Sequence, residues 1–284
     1  IAIRKHYTVF SHDTASVYDR IETRQNTAKG GIPLKDFEEL YPISKKLSRF
    51  IGESIRDYNM IHAKDSIMIG LSGGKDSLLL SLALAVLRKR SPIKFGLKAC
   101  IIDQSDGSMQ TDKLFEYMDT LGIELELIKH PTYKIIKDRE ERSPCGLCAN
   151  LRRGILAGKA QESGCSVIAL GHHKDDAAET VLLNLLYGGR FKCYHPHLYM
   201  SRTKIRVIRP LLYVEERNII LEAERLALPI TSSCCPYGDK SKRKSAKELL
   251  AAIEKDVPEF KSNVIHALKN VKDSDVWKKQ MLDE

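Results

Sequence analysis

From Lys46 onward the apolar positions of the chain follow two different periods. Leu47, Phe50, Ile51, Ile55 and Tyr58 recur at helical spacing and predict one amphipathic helix that ends before "MIHAKD". After it come short β-prone runs, "SIMIGL" (66–71), "LKACIID" (97–103), "ELELIK" (124–129) and "SVIALG" (166–171). Segments with helical period follow them, at about 76–90, 111–121, 149–163 and 176–187. Such alternation is the mark of βαβ units. It predicts an α/β fold, a parallel five-stranded Rossmann-like sheet with helices on both faces, whose fifth strand is "IRVIRPL" (205–211). Beyond Pro210 the pattern is mainly helical, at about 214–227, 244–254 and 258–270. Residues 1–45 show no sustained period. The expected organisation is an arm of unassigned role (1–45), a catalytic α/β domain (46–212) and a mainly helical C-terminal region (213–284).

Composition narrows this picture. With 284 residues, 43% of them hydrophobic, the chain can bury a sizeable core without covalent staples. Its longest apolar run, "LLLSLALAVL" (78–87), is too short to span a bilayer, and no membrane partner is expected. The seven cysteines are odd in number and scattered, and "IAIRKHYTVF" offers no long apolar signal stretch, so a reducing cytoplasm is the expected setting. A formal charge of +9 favours a polyanionic partner, although solvated helix faces alone would also carry it. The basic residues gather in "LRRGIL" (151–156) and "DKSKRK" (239–244), each just after a cysteine pair.

The first predicted strand runs into "LSGGKDS" (71–77) and then into a helix. Amides at such a strand-to-helix turn form an anion site at the carboxyl edge of the sheet. Gly73 and Gly74 let the backbone approach a phosphate, Ser72 and Ser77 bring hydroxyls, and Lys75 brings a positive charge. Ile69 and Asp76 stand where a Walker A loop needs Gly and Ser or Thr, and Ser72 stands where a dinucleotide fingerprint needs Gly. What the letters match is the PP-loop SGGxDS of ATP pyrophosphatases, at Ser72, Gly73, Gly74, Asp76 and Ser77. "ALGHHKDDAAET" (169–180) ends the fourth strand on the same edge. There Asp175 and Asp176 are candidates for Mg²⁺ or proton transfer, with a plain helix cap the competing reading for Asp175. Gly171 and His172 in that turn are candidate nucleotide contacts, although His172 and His173 suit strand-end packing equally well. Asp103 ends the second strand on the same rim and joins them as a candidate for nucleotide or metal contact.

Cys145 and Cys148 open a helix in "PCGLCANL", where thiolates are stabilised. By themselves they suit a metal, a disulfide or a helix start. No second CxxC exists, and the other tight pair is Cys234 and Cys235 in "SSCCPYG". Neighbouring residues seldom reach one metal together, so the chain offers about three ligands and leaves one metal position open. Cys100, Cys165 and Cys193 sit singly in apolar or helical contexts and read as buried thiols.

Several stretches in fixed order resemble the tRNA 2-thiocytidine synthetase (TtcA) family: "YNMI" (58–61), the PP-loop, "CGLC" with "LRRGIL", "ALGHHKDD", "NLLYGGRFK" (184–192) and "VIRPL" (207–211). The likeness covers about residues 46–271. It implies membership of the TtcA/TtuA group of iron–sulfur tRNA thiolases, in which three cysteines hold a [4Fe-4S] cluster with one iron free. It further implies ATP and Mg²⁺ as cofactors and, as partners, tRNA and a sulfur donor such as a cysteine desulfurase or free sulfide. A homodimer is left open. On this resemblance Cys145 and Cys148 match the family's CxxC, Arg152 its basic site residue and Asp176 its catalytic or metal-binding acid. Cys235 is the better third ligand, since Arg243 follows it at the family's spacing of eight residues. The implied chemistry is adenylation of a cytidine C2 oxygen at position 32 of the anticodon loop, then replacement of that oxygen by sulfur. Three other readings stay open. They are a 2-thiouridine synthetase of the TtuA type, which "CPY" (235–237) also resembles, a cluster-free ligase such as tRNA lysidine synthetase, and a non-catalytic zinc or disulfide protein that binds RNA or relays sulfur.

Overall fold

A computed structural model describes residues 42–105, 107–141, 143–231, 235–237, 242–272 and 274. Most of the expected arm, and Cys234, lie outside the described residues.

Helix α1 (Lys45–Asp57) begins where the Ser44 hydroxyl accepts the Leu47 N–H. The chain then alternates: β1 (Ser66–Leu71), α2 (Lys75–Arg90), β2 (Gly96–Asp103), α3 (Asp112–Thr120), β3 (Glu124–Lys129), α4 (Thr132–Asp138), α5 (Pro144–Glu162), β4 (Val167–Ala169) and α6 (Lys174–Gly188). It continues with β5 (His197–Met200), β6 (Ile205–Ile208), α7 (Glu216–Arg225), α8 (Lys242–Asp256) and α9 (Phe260–Lys269). The sheet order is β3-β2-β1-β4-β6-β5. Five strands are parallel, as the alternation predicts. The sixth, β5, pairs antiparallel with β6 as an edge hairpin. Sequence reading passed over β5 because Leu198 and Tyr199 are both exposed, so the strand has no buried alternation to announce it. The expected strand 205–211 stops at Ile208, just before Pro210, which has no N–H to give a ladder.

The pleat divides the core. Ile67, Ile69 and Leu71 of β1 face the layer built by α1, α2, α3 and α7, while Met68 faces α5 through Leu156, Ala157 and Ala160. Helix α2 is apolar nearly all round because it lies wholly inside, with Leu78 to Val86 buried. The C-terminal helices α8 and α9 pack on α6 through Leu250 and Val264 against Val181 and Leu182.

From β1 the chain winds outward to β2 and β3, then returns to place β4 on the other side of β1. The crevice between the carboxyl ends of β1 and β4 is therefore the switch point where an open α/β sheet receives its ligand.

Candidate active site

Three chain segments meet at this crevice. The first is the turn from β1 to α2. Ser72 N–H donates to Ser77 Oγ at 3.1 Å, the two hydroxyls lie 3.0 Å apart, and Ser77 Oγ donates to the Gly74 carbonyl at 3.0 Å. These bonds set the loop before any ligand arrives. Gly73 has φ +76°, and a Cβ there would lie 2.1 Å from Thr231 Oγ1. Gly74 caps α2 without a side-chain bond, so the amides of its first turn face the crevice as an anion cradle. Lys75 turns aside, pairing with Glu216 at 3.0 Å and Asp76 at 3.2 Å. Burial works against its charge, but these two carboxylates prevail and hold its pKa above the ordinary value.

The second segment is the turn from β4 to α6. The cap of α6 is His173, not Asp175: its Nδ1 accepts the Asp176 N–H at 3.4 Å, and its own N–H donates to Asp176 Oδ2 at 3.1 Å. His173 Nε2 stands 3.7 Å from Asp76 Oδ1 and 3.5 Å from Asp176 Oδ2, so the acids of two helix starts flank one ring. Burial disfavours its cation, yet Asp175, Asp176 and Asp76 raise its pKa. Asp76 Oδ1 is buried without a hydrogen bond. This oxygen, which lies 3.2 Å from the Lys75 ammonium, and Asp176 Oδ2 approach the same ring nitrogen, and two such carboxylates are the hard oxygen donors that Mg²⁺ requires.

The neighbouring candidates fall into place around these acids. Gly171 is needed for close approach, since a Cβ there would lie 3.1 Å from the Asp76 carbonyl carbon and 3.2 Å from Ser77 N. Asp175 is buried and occupied elsewhere. It accepts the Glu216 N–H at 2.7 Å and pairs with Lys261, and despite burial the His173 ring, then Lys261 and the Glu216 N–H, hold its carboxyl well below the usual range. His172 packs on Tyr194 with ring centroids 4.8 Å apart, and burial together with the Arg209 charge pushes its pKa down to about 4. Arg243 of α8 reaches back to Asp176 at 3.4 Å and Glu179 at 3.1 Å.

The third segment carries the thiols. A cavity of about 230 Å³ is lined by Ser72 and Gly74 of the phosphate loop, Asp103, Cys148 and Arg152 of α5, and Thr231 and Cys235. The structure thus brings Cys148 and Cys235, 87 residues apart in the chain, to one wall facing the loop. Cys145 lies one turn before Cys148 on α5 and is exposed beside the cavity rather than lining it. The six described cysteines are free thiols. Among the described residues no three His, Cys, Asp or Glu side chains converge closely enough for a single metal ion. A cluster makes a different demand, because it spreads its thiolates over separate irons, and a set of cysteines around one cavity suits that donor pattern.

Asp103 is committed to its own turn, accepting the Ser105 N–H at 2.8 Å and hydroxyl at 2.6 Å. Burial opposes its ionisation, but donors from Ser105 and Gly107 keep its carboxyl below the ordinary value. Two groups escaped sequence reading. Gln104 Nε2 donates to Cys148 Sγ at 3.2 Å, and the Tyr133 hydroxyl hydrogen-bonds Cys235. Burial, then the nearby Cys235, pushes the Tyr133 pKa up to about 12. Gln104 had a usable signal, directly after a strand-ending acid on the ligand rim. Tyr133 sits on a helix of seven residues, too short for its period to register.

Comparison with known proteins agrees with this geometry. The PP-loop domain matches residues 41–228. A tRNA-cytidine(32) 2-sulfurtransferase of Alkalilimnicola ehrlichii is 40% identical over 247 residues, which is 86% of this chain and 79% of that protein. The protein of the same name from Pelobacter propionicus is 40% identical, over 81% of this chain and 87% of its own. Among solved structures, the U34-tRNA thiolase NcsA from Methanococcus maripaludis with its [4Fe-4S] cluster superposes with a TM-score of 0.67 at 25% identity, covering 87% of each chain.

Proposed function

The chain belongs to the tRNA-cytidine(32) 2-sulfurtransferase family of PP-loop proteins, and from that premise we propose that it makes 2-thiocytidine in tRNA at the expense of ATP. The observation that carries this reading is the single cavity in which Ser72 and Gly74 of the phosphate loop face Cys148, Cys235 and Arg152.

The phosphates of ATP lie on the loop from Ser72 to Ser77, with the start of α2 supplying amides. Asp76 and Asp176 would hold Mg²⁺, which would neutralise charge on those phosphates. The C2 oxygen of the target cytidine attacks the α-phosphorus, and pyrophosphate leaves. A sulfur nucleophile then adds at C2 and expels AMP, so one oxygen is exchanged for one sulfur with no net redox change. Cys145, Cys148 and Cys235 would hold a [4Fe-4S] cluster, which would supply the binding place for the incoming sulfide. Arg152, on the cavity wall one turn beyond Cys148, stabilises negative charge on the departing phosphate. Gln104 and Tyr133 orient the thiolates. The sulfur donor is free sulfide, or a cysteine desulfurase whose persulfide is reduced to sulfide by two electrons from a cellular thiol, and the setting is the cytoplasm, where thiols stay reduced.

The test is anaerobic incubation of the iron-loaded protein with tRNA, ATP and sulfide, followed by mass spectrometry of the nucleosides. The expected result is 2-thiocytidine with AMP and pyrophosphate in equal amounts, and none without ATP. A 2-thiouridine product, or a colourless zinc protein that modifies nothing, would overturn the reading.

A further inference from the structure

Helix α6 starts at the acids of the active site and ends in an exposed surface of another kind. Leu185, Leu186, Tyr187 and Phe191 are 46–55% exposed there, although all are large and apolar. Adjacent large apolar groups left in solvent mark a binding surface. The chain that follows them is basic. Residues 180–214 contain no Asp or Glu and expose Arg190, Lys192, Arg202 and Lys204, while Arg206 pairs with Asp65 and Arg209 is buried.

The loop is also built rather than loose. Gly189, at φ +57°, turns the chain out of α6. The Asn184 carbonyl accepts the Arg190 N–H at 3.0 Å, and its side-chain amide donates to the Lys192 carbonyl at 2.9 Å. Helix α8 joins this surface to the active site: Lys242 Nζ lies 4.6 Å from the Tyr187 ring centroid, while its neighbour Arg243 pairs with Asp176.

Exposed aromatics interleaved with cations are the chemistry of single-stranded nucleic acid binding, in which rings stack on bases and ammonium or guanidinium groups neutralise phosphates. We propose that Tyr187 and Phe191, with Arg190, Lys192 and Lys242, form the surface on which unpaired tRNA nucleotides beside the target cytidine are held. From Asp176 to Tyr187 the helix rises about 16 Å, which about five stacked nucleotides span. The surface therefore lies within reach of a loop whose target base occupies the cavity. A second copy of the chain suits it less, because two such faces would oppose like charges. This inference rests on the tRNA-thiolase reading and adds to it the path of the substrate.

The experiment uses iron-loaded protein and a fluorescent anticodon stem-loop RNA, with affinity read by anisotropy. Tyr187→Ala with Phe191→Ala is expected to weaken binding about 10- to 100-fold, whereas Tyr187→Phe with Phe191→Tyr retains it. Arg190→Gln with Lys192→Gln is expected to lower the slope of log affinity against log salt by about 1.4. ATP affinity, iron content and melting midpoint stay at wild-type values in all three. An alanine pair that binds within twofold of wild type overturns the inference alone. So does a wild-type dimer that the alanine pair splits while RNA affinity per chain is unchanged. Wild-type protein that binds no RNA overturns both this inference and the functional reading beneath it.

Discussion

The backbone N–H of Thr231 donates to the Gly73 carbonyl at 2.9 Å, so a residue that lines the cavity with Cys235 is bonded directly to the phosphate loop. A disturbance at Gly73 should therefore be felt at Thr231, which lines the same cavity as Cys235. Gly73→Ala tests this. An L-residue at φ +76° is strained by about 1–2 kcal/mol, and the added Cβ would collide with Thr231 Oγ1. The expected outcome is weaker ATP binding by calorimetry together with poorer iron retention. Thr231→Ala in the same chain should restore the part due to the collision and leave the part due to φ, which a double-mutant cycle separates. Wild-type ATP affinity in Gly73→Ala would sink the argument.

The thiols should sort by environment. Cys145 and Cys235 are exposed and Cys148 is partly so, whereas burial pushes Cys100 and Cys193 each up to about 11. A thiol with so high a pKa stays protonated near neutrality and is a poor nucleophile and metal ligand. In iron-free protein at pH 8, iodoacetamide should label Cys145 and Cys235 first, Cys148 more slowly, and Cys100 and Cys193 hardly at all, as peptide mass spectrometry would show. Serine at 145, 148 or 235 should abolish iron retention, while alanine at 100 or 193 should keep it. Iron retained by Cys235→Ser would remove that residue from the ligand set.

Much of this was legible in the chain because the signals were local. The parallel strands β1, β2 and β4 are short apolar runs that end on the ligand edge of the sheet, so Ser72, Asp103 and Gly171 could be placed on one rim from the pattern alone. The CxxC on the first turn of α5 was readable for the same reason. What stayed hidden depends on contacts between distant segments. That Lys75 would turn to Glu216, 141 residues away, follows from how α7 packs on α2, and no window of sequence contains both. The capping role of His173 was obscured because aspartate is the commoner cap and two aspartates follow it.

Asp175 and Asp176 are adjacent letters with separate duties, and neutral isosteres should divide them. Asp175 is buried, takes the Glu216 N–H and pairs with Lys261, joining α6 to α7 and α9. Asp175→Asn should therefore lower stability by roughly 1.5–3 kcal/mol, the scale of hydrogen bonds to charged groups. Asp176 is held by the His173 N–H and by Arg243 near the phosphate loop. Asp176→Asn can still accept the cap bond, so its stability should stay within about 1 kcal/mol of wild type, while pyrophosphate release falls about 100-fold. Urea unfolding and a pyrophosphate assay on both variants give the comparison. Equal effects of the two substitutions in both assays would refute this division.

The far end of α5 offers a pH test outside the reaction site. Glu126 of β3 pairs with Lys159 and accepts the Ser163 hydroxyl at 3.0 Å, pinning the last turns of the helix whose first turn carries Cys145 and Cys148. Lys159 is the main reason that the Glu126 carboxyl titrates below its ordinary value. A carboxyl depressed on folding contributes stability that is present above its unfolded pKa, about 4.3, and is lost as pH falls through the lower folded value. Glu126→Gln lacks that titration. Its melting midpoint should lie below wild type at pH 7, and the gap should close as pH drops below about 4. Calorimetric scans of the two proteins between neutral and acid pH provide the measurement. A gap that widens in acid would show that Glu126 is not held in its charged form by Lys159, and the anchor of α5 would then have to be sought elsewhere.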